Sequence, residues 1–283
     1  MQPIAFFLHI PRTAGTTLNT ILKNNFAPEE ILTVYHKSEY EAHSAHSADE
    51  LRRIRLIQGH LLLEKYDPPT MYGLPVKVFT FLREPVERLI SEYAFLRSWP
   101  ENHLYRYLAD NKVSFSEYVS SGEKELYYRG KNFMTRCISG MDDRREYPTR
   151  ALARAKMHLE KSFVFVGITE RFTESLVLLA DVLGLTNLLH EKRNALKKTA
   201  QPDISDDDRT LAEEFNRGDT ELYRFAGELF EERIKSQGPA FKERVQKLQF
   251  INTKFQKISG LLMNRSSADQ EGAILMPKQG KWK

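Results

Sequence analysis

Short apolar runs rich in β-branched and aromatic residues alternate along this chain with segments whose apolar residues recur at helical spacing. This alternation is typical of a parallel sheet that carries helices on both faces. We predict five strands: IAFFLH (4–9), ILTVY (31–35), IRLIQ (54–58), VKVFTFL (76–82) and FVFVGI (163–168). The fourth run is apolar on both sides of its pleat, which predicts a central strand. The predicted fold class is therefore α/β, with three α/β/α layers.

Helical patterns follow most of these strands. Segments 16–26 and 85–97 carry apolar residues three and four positions apart. Segment 170–185 predicts an amphipathic helix that ends at Gly184, and Ser205 is a candidate N-cap for a further helix. Strand patterns are lacking from about 100 to 160, which predicts a helical and loop insertion facing a substrate.

Composition places the chain among folded globular proteins, since 41% of its 283 residues are hydrophobic and 28% are charged. No apolar run approaches the roughly 18 residues that a membrane-spanning helix needs. A single cysteine, Cys137, excludes an internal disulfide framework and argues against a cysteine-based zinc site. We therefore expect a cytoplasmic protein.

Basic charge is concentrated at the end of the chain. Segment 235–283 has ten Lys or Arg and three acidic residues, so the rest of the chain gives no charge-based support for nucleic-acid binding. Within segment 236–283, a basic helix is predicted by apolar residues at 241, 245, 248, 251, 255, 258 and 262, and a flexible tail is expected after it. This helix either packs on its own domain or a partner, or makes a peripheral contact with an anionic surface.

The segment FLHIPRTAGTTLN (7–19) joins the first predicted strand to the first predicted helix. Loops at this place in an α/β sheet bind phosphate, because a helix N-terminus offers unpaired N–H groups and the positive end of its dipole. Gly15 allows the backbone to approach a ligand closely, and Arg12 adds positive charge. The common nucleotide-binding loop is absent, since Ile10 and Thr16 stand where that loop has its first glycine and its lysine.

A second anion-binding position is predicted at Arg83, which follows the fourth predicted strand and precedes Pro85. Because neighbouring parallel strands end at the same edge of the sheet, Arg83 should lie beside the first loop. Two anion positions on one edge suit a ligand with two separated phosphate groups. A structural salt bridge at Arg83 is the alternative interpretation.

Four segments occur in an order that resembles the carbohydrate sulfotransferase family, which includes the heparan sulfate 2-O- and 6-O-sulfotransferases and bacterial relatives: HIPRTAGTTL, QGH, FTFLREPVERLISEYAFLR and FVGITERFTESLVLLADVLGL. The resemblance implies that residues 1–235 form a P-loop-like sulfotransferase domain. It implies 3′-phosphoadenosine 5′-phosphosulfate (PAPS) as co-substrate and no metal. The 5′-phosphosulfate would be held by Arg12, Thr13, Ala14, Gly15, Thr16 and Thr17, and the 3′-phosphate by Arg83 and Ser91.

The resemblance also implies catalytic roles for His60 and Arg12. His60 stands at the family's catalytic histidine, and it follows a predicted strand at the same sheet edge, where an imidazole suits a general base. Arg12 stands where the family usually has lysine, so charge and phosphate binding should persist. Proton donation to the leaving group should not, because arginine effectively never loses its proton. We expect His9 to order the loop.

The sequence therefore predicts a sulfotransferase that acts by in-line displacement on a hydroxyl group of a carbohydrate or glycolipid. A nucleotide-dependent kinase with an atypical loop and a non-catalytic nucleotide-fold binding protein are the alternatives. The missing loop lysine argues against the kinase, and the presence of both Arg83 and His60 argues against a loss of catalysis.

The family resemblance also marks Asn132, Arg136 and Arg193–Asn194 as neighbours of the cofactor or acceptor. His43, His46 and Asp49 have a spacing that a metal could use, but their polar surroundings indicate a solvated face. The oligomeric state stays open.

Overall fold

The structure, a computed structural model, describes residues 3–35, 48–60, 75–123, 126, 129–145, 147–191 and 202–273. Its strands are β1 (Ile4–Leu8), β2 (Ile31–Val34), β3 (Leu56–Gly59), β4 (Val76–Leu82) and β5 (Phe163–Ile168). They form one parallel sheet in the order β2-β3-β1-β4-β5. All five predicted strands are confirmed. β1 is the middle strand. β4 lies between β1 and β5, so it is paired on both sides.

The described helices follow in chain order: α1 (Gly15–Lys23), α2 (Ala48–Arg53), α3 (Pro85–Leu96), α4 (His103–Asp110), α5 (Phe115–Ser120), α6 (Phe133–Ser139), α7 (Thr149–Lys161), α8 (Phe172–Leu183), α9 (Asp206–Phe215), α10 (Arg217–Lys235) and α11 (Ala240–Ala273). Every residue of β1 and β3 is buried, so helices and loops cover both faces of the sheet. The three-layer α/β/α prediction is therefore confirmed.

Local sequence signals explain where several helices begin and end. Pro85 opens α3, and the carboxylate of Glu84 accepts hydrogen bonds from the first backbone N–H groups of that helix. Ser205 caps α9 by accepting from the backbone N–H of Asp208. Gly184 ends α8 in the left-handed region at φ 72°, a conformation that glycine adopts without a side-chain clash. The predicted cap and stop are both confirmed.

The 100–160 insertion is helical, as predicted, and part of it forms a second hydrophobic core. Helices α4 and α5 pack with α3 and α9, and Tyr93 of α3 lies between the rings of Phe115 and Tyr118 at centroid distances of 5.5 Å. Val86, Leu89, Tyr93 and Leu96 of α3 belong to this core. The core thereby holds in place the helix that follows Arg83.

The C-terminal helix packs on the domain through its first turns. Phe241 and Val245 are buried, and Arg244 forms an ion pair with Asp181 of α8. The helix continues to Ala273, past the apolar stripe that predicted it, and residues 274–283 lie outside the described residues. The physical reason for this extension is that segment 261–273 has no proline and is rich in residues that favour helix. Among the described helices, we find none with the length and apolarity to span a bilayer.

Candidate functional site

A cavity of about 910 Å³ opens at the carboxyl edge of the sheet, where β1, β3 and β4 end. Of the predicted site residues, it is lined by Arg12, Ala14, Gly15, Thr16, Thr17, His60, Arg83 and Ser91. Thr13 is the exception: its side chain is fully buried, and its hydroxyl donates to the Ile10 carbonyl over 2.8 Å. The Thr13 side chain therefore holds the loop, which leaves only its backbone for a ligand.

The loop before α1 has an unusual backbone. Arg12 and Ala14 have φ values of 69° and 64°, in the left-handed region that non-glycine residues rarely adopt. Such backbone strain persists only where the surrounding fold stabilises it, and strained residues of this kind cluster at functional sites. A Cβ atom at Gly15 would lie 1.7 Å from His9 Nε2, so the loop can pass over the His9 ring only with glycine at this position. Gly15, Thr16 and Thr17 thus bring the N-terminus of α1 to the cavity wall.

Arg12 is fixed by two contacts with α3. Its Nε donates to Ser91 Oγ over 3.0 Å, and its guanidinium lies 4.6 Å from the centroid of the Phe95 ring. Burial lowers the pKa of Arg12, an effect that the carboxylate of Glu92 opposes. The positive charges of Arg83 and of further arginines lower this pKa again. A bound anion would relieve this repulsion, so the electrostatics favour an anion site here.

Arg83 lies beside the loop, as predicted. Its Nη1 donates to the backbone carbonyl of Arg12 over 3.3 Å. The alternative interpretation is also partly correct, because Arg83 Nη2 lies 3.8 Å from a carboxylate oxygen of Glu87. Glu87 is partly exposed and also pairs with Arg209 over 2.9 Å. Exposed pairs of this kind contribute only about 0–1 kcal/mol, so Arg83 can engage a ligand at small cost.

His60 follows β3 and is oriented by the backbone at the end of the neighbouring strand, β1. Its Nδ1 lies 2.7 Å from the His9 carbonyl oxygen. A carbonyl can only accept, so Nδ1 carries the proton in the neutral ring and Nε2 carries the lone pair. The imidazole also contacts the rings of His9 and Tyr35, at centroid distances of 4.5 Å and 4.7 Å. These contacts hold His60 at the cavity in the tautomer that a general base requires.

His9 supports both the loop and His60. Its ring stacks on Phe7 at 5.2 Å, and its Nδ1 lies 3.1 Å from the Tyr35 hydroxyl. Burial lowers the pKa of His9 well below the ordinary value, and electrostatic repulsion from His60, when that ring is protonated, and from Arg12 adds to this effect. His9 is therefore neutral near pH 7. Its position directly beneath Gly15 agrees with the expected role in ordering the loop.

Among the described residues, six charged ones that line the cavity were not predicted as site residues: Glu87, Glu92, Arg129, Glu170, Asp203 and Arg209. Two of them, Glu92 and Arg129, form an ion pair. Glu92 is fully buried, and its carboxylate accepts from Arg129 Nη1 over 3.2 Å. A signal for Glu92 was present, because it lies on the apolar face of α3 with Leu89 three residues before it and Leu96 four residues after it. A carboxylate on that face needs a buried partner. No comparable pattern marks Arg129.

Two residues that the resemblance placed near the cofactor or acceptor do not line the cavity. Asn132 is fully buried, and its side-chain oxygen accepts from the Asp219 backbone N–H over 3.0 Å. Arg136 is buried and pairs with Asp142 over 2.5 Å. Both side chains are engaged in contacts around α6, and a place near the cofactor or acceptor stays a prediction for these two residues. Arg193–Asn194 lie outside the described residues.

The insertion contributes little to the described cavity wall. Of the described residues between 100 and 160, only Arg129 lines it. Other parts of the wall come from Thr169, directly after β5, from Asp203, before α9, and from Arg209, within α9. A substrate-facing role for the insertion stays a prediction.

No metal site is found among the residues that the structure describes, where no group of three or more His, Cys, Asp or Glu side chains is close enough to share an ion. His43 and His46 lie outside those residues.

Comparison with known proteins identifies the family to which this chain is similar. The family model described as galactose-3-O-sulfotransferase matches residues 2–274. Heparan sulfate 2-O-sulfotransferase hst-2 of Caenorhabditis elegans is 24% identical, over 82% of this chain and 79% of its own length. Galactose-3-O-sulfotransferase 3 of Mus musculus is 30% identical, over 84% of this chain but only 58% of its own length. Mouse sulfotransferase SULT7A1, solved in complex with PAP, aligns at 14% identity with a TM-score of 0.39, covering 94% of this chain and 89% of that one.

Proposed function

This chain belongs to the galactose-3-O-sulfotransferase family, and we propose that it transfers a sulfuryl group from PAPS to a hydroxyl group of a saccharide. One observation carries the proposal. A single cavity brings together two arginine-bearing anion positions, at Arg12 and Arg83, and a histidine in the tautomer of a base, His60. Family membership makes the chain a sulfotransferase, and the geometry supports specific roles for its residues.

In this proposal the donor binds along the carboxyl edge of the sheet. Its 5′-phosphosulfate lies on the N-terminus of α1, where Arg12 and the loop amides supply positive charge. Its 3′-phosphate lies between Arg83 and Ser91. The Ser91 hydroxyl accepts from Arg12 Nε, which leaves its own proton for a phosphate oxygen. The Arg12–Ser91 hydrogen bond thus couples the two ends of one donor.

The proposed reaction is an in-line displacement at sulfur. The acceptor oxygen forms a bond to sulfur while the bond from sulfur to the 5′-phosphate oxygen breaks. His60 Nε2 takes the proton of the acceptor hydroxyl, and general bases of this kind accelerate reactions by about 10² to 10⁴. The electron pair of the broken bond goes to the phosphate oxygen, whose charge Arg12 and the loop amides stabilise. Arg12 acts by charge alone and transfers no proton.

A saccharide acceptor is supported by the relatives, whose names specify galactose and heparan sulfate. Both are polyhydroxylated sugars whose hydroxyl groups have very high pKa values, so a base is needed to remove the proton. A glycolipid headgroup presents the same chemistry. Neither the kinase nor the non-catalytic alternative is favoured by any contact described at the cavity.

Labelled-donor transfer tests this function. The full chain is incubated with sulfur-labelled PAPS and a panel of saccharides, and in parallel with γ-phosphate-labelled ATP. We expect label from PAPS on at least one saccharide, with a mass increase of one SO₃ group, and no label from ATP. Phosphorylated saccharide from ATP would overturn the proposal in favour of a kinase. Donor binding without transfer to any member of a broad panel would support the non-catalytic alternative instead.

A further inference from the structure

Helix α11 exposes large apolar side chains between residues 250 and 262. Phe250, Ile251, Ile258, Leu261 and Leu262 have 61%, 40%, 59%, 66% and 61% of their surface exposed. Soluble domains rarely leave such side chains contiguous and uncovered, and clusters of them mark interaction sites. The described structure gives these five residues no apolar neighbours on the domain that would bury them.

The exposed apolar side chains form one face, distinct from the face that packs on the domain. The packed face carries Phe241, Val245 and Asn252, and Asn252 accepts from the His190 backbone N–H over 2.9 Å. At 3.6 residues per turn, the five exposed apolar residues fall within an arc of about 120° on the outward side of the helix. We call these residues, Phe250, Ile251, Ile258, Leu261 and Leu262, the outer face.

The outer face is bordered by positive charge. Between 240 and 262 the helix has five basic residues and one acidic residue, Glu243, which gives this segment a net charge of +4. Lys254 lies within the arc of the outer face, and its Nζ is 4.2 Å from the Phe250 ring centroid. Lys257 is exposed at the border of the arc. Apolar residues flanked by lysines are the pattern of helices that lie in a membrane interface.

We propose that the outer face of α11 binds the surface of a membrane rich in acidic lipids. The positive charge of α11 distinguishes among the partners that could cover the outer face. A second copy of this chain would bring two helices of the same positive sign together, and like charges at close range are unfavourable. A nucleic acid would match the charge but would leave Phe250, Leu261 and Leu262 against a polar backbone. An acidic lipid surface satisfies both the lysines and the apolar side chains.

This contact would be peripheral, because the packed face keeps α11 attached to the domain through Arg244–Asp181 and His190–Asn252. The helix would lie parallel to the membrane, with the outer face in the headgroup region. The catalytic proposal does not depend on it, since no residue of α11 lines the described cavity.

Vesicle co-sedimentation of the full chain tests the proposal. The probes are pure phosphatidylcholine vesicles and mixed phosphatidylcholine–phosphatidylserine vesicles. The variants are Ile258→Gln/Leu261→Gln/Leu262→Gln, which removes apolar surface, and Lys254→Glu/Lys257→Glu, which reverses charge. The matched control is Lys23→Glu/Lys161→Glu, which reverses two exposed lysines in the last turns of other helices. Binding of the desulfated donor, 3′-phosphoadenosine 5′-phosphate (PAP), is measured for every variant to establish that it is folded.

We expect the wild type to bind mixed vesicles at least tenfold more tightly than pure phosphatidylcholine, with affinity falling as salt is raised. Both α11 variants should lose at least tenfold in affinity for mixed vesicles, and the control should bind like the wild type. Equal binding to both kinds of vesicle, absence of vesicle binding, or an equal loss in the control would overturn the proposal. So would a dimer in sedimentation velocity that the triple variant converts to a monomer, because a second copy would then cover the outer face.

Discussion

Arg12 Nε and Ser91 Oγ lie 3.0 Å apart in a hydrogen bond that joins the loop after β1 to helix α3. The two residues come from the two separate sequence motifs that predicted anion binding. The bond therefore links the proposed position of the 5′-phosphosulfate to that of the 3′-phosphate. A change at either residue should affect binding of the whole donor, which makes this pair a good starting point for tests.

Arginine at position 12 should not be replaceable by lysine without a loss. Arg12→Lys keeps the charge but removes the Nε bond to Ser91 and the planar contact with Phe95. Charge-assisted hydrogen bonds contribute about 1.5–3 kcal/mol, so we expect affinity for 3′-phosphoadenosine 5′-phosphate (PAP) to fall roughly tenfold in Arg12→Lys and about 100-fold in Arg12→Ala. Calorimetric titration measures both.

The matched control is Arg97→Lys, since Arg97 also lies over an aromatic ring of α3, that of Tyr93, yet does not line the cavity. It should bind PAP like the wild type. A wild-type affinity in Arg12→Lys would show that only the charge of this residue matters.

Arg83 should distinguish the 3′-phosphate from the rest of the donor. In Arg83→Ala we expect PAP affinity to fall about 10- to 100-fold, while affinity for 5′-AMP, which lacks the 3′-phosphate, changes by less than about threefold. Arg106→Ala removes an exposed arginine of α4, away from the cavity, and is the control. An equal loss for both nucleotides would assign Arg83 to loop support, through its bond to the Arg12 carbonyl, instead of phosphate binding.

His60 can be tested with a variant that keeps its structural bond. The side chain of Asn in His60→Asn can still donate to the His9 carbonyl, but it lacks the lone-pair nitrogen of a base. We expect transfer rates about 10² to 10⁴ lower in both His60→Asn and His60→Ala, with PAP affinity unchanged. Wild-type kcat/KM should fall as pH is lowered, because a protonated imidazole cannot accept a proton. Substantial activity in His60→Asn would remove His60 from the role of base.

The buried His9 should make the fold sensitive to acid. Burial lowers the pKa of folded His9 well below the value of about 6.5 that the unfolded chain has. Below that pH the unfolded state binds a proton that the folded state does not, so the free energy of unfolding falls as pH drops. In His9→Phe, which keeps a ring stacked on Phe7, this fall should be smaller, by at most about 1.4 kcal/mol per pH unit.

Urea denaturation at pH 7 and pH 5 measures this difference between the variant and the wild type. An identical pH dependence in the two proteins would show that His9 takes up a proton as readily in the folded state as in the unfolded state. A steeper dependence in His9→Phe would contradict the sign of the argument.

Much of the fold could be predicted from the sequence because its signals are local. The strands are short apolar runs, and the caps at Glu84–Pro85 and Ser205 act within a few residues. The positions of Arg12, Arg83 and His60 follow from one topological rule, that parallel strands end at a common edge. The Arg12–Ser91 bond joins residues 79 positions apart and could not be derived from either motif alone.

What the sequence missed depends on packing between distant segments. Arg129 donates a hydrogen bond to the carboxylate of Glu92, which is buried on α3 and lies 37 positions earlier in the chain. This contact holds the Arg129 guanidinium at the cavity. The bonds of Asn132 to Asp219 and of Arg136 to Asp142 join segments that no sequence pattern pairs. The cytoplasmic location and the acceptor-facing role of the insertion stay predictions.

The two-phosphate donor is tested by comparing PAP with ATP in calorimetric titrations of the wild-type chain. Both nucleotides place phosphates at the 5′ position, but only PAP has a 3′-phosphate to engage Arg83 and Ser91. One charge-assisted contact of about 1.5–3 kcal/mol predicts that PAP binds roughly 10- to 100-fold more tightly than ATP. ATP binding as tight as PAP binding, or tighter, would contradict a site built for a sulfuryl donor with two separated phosphates.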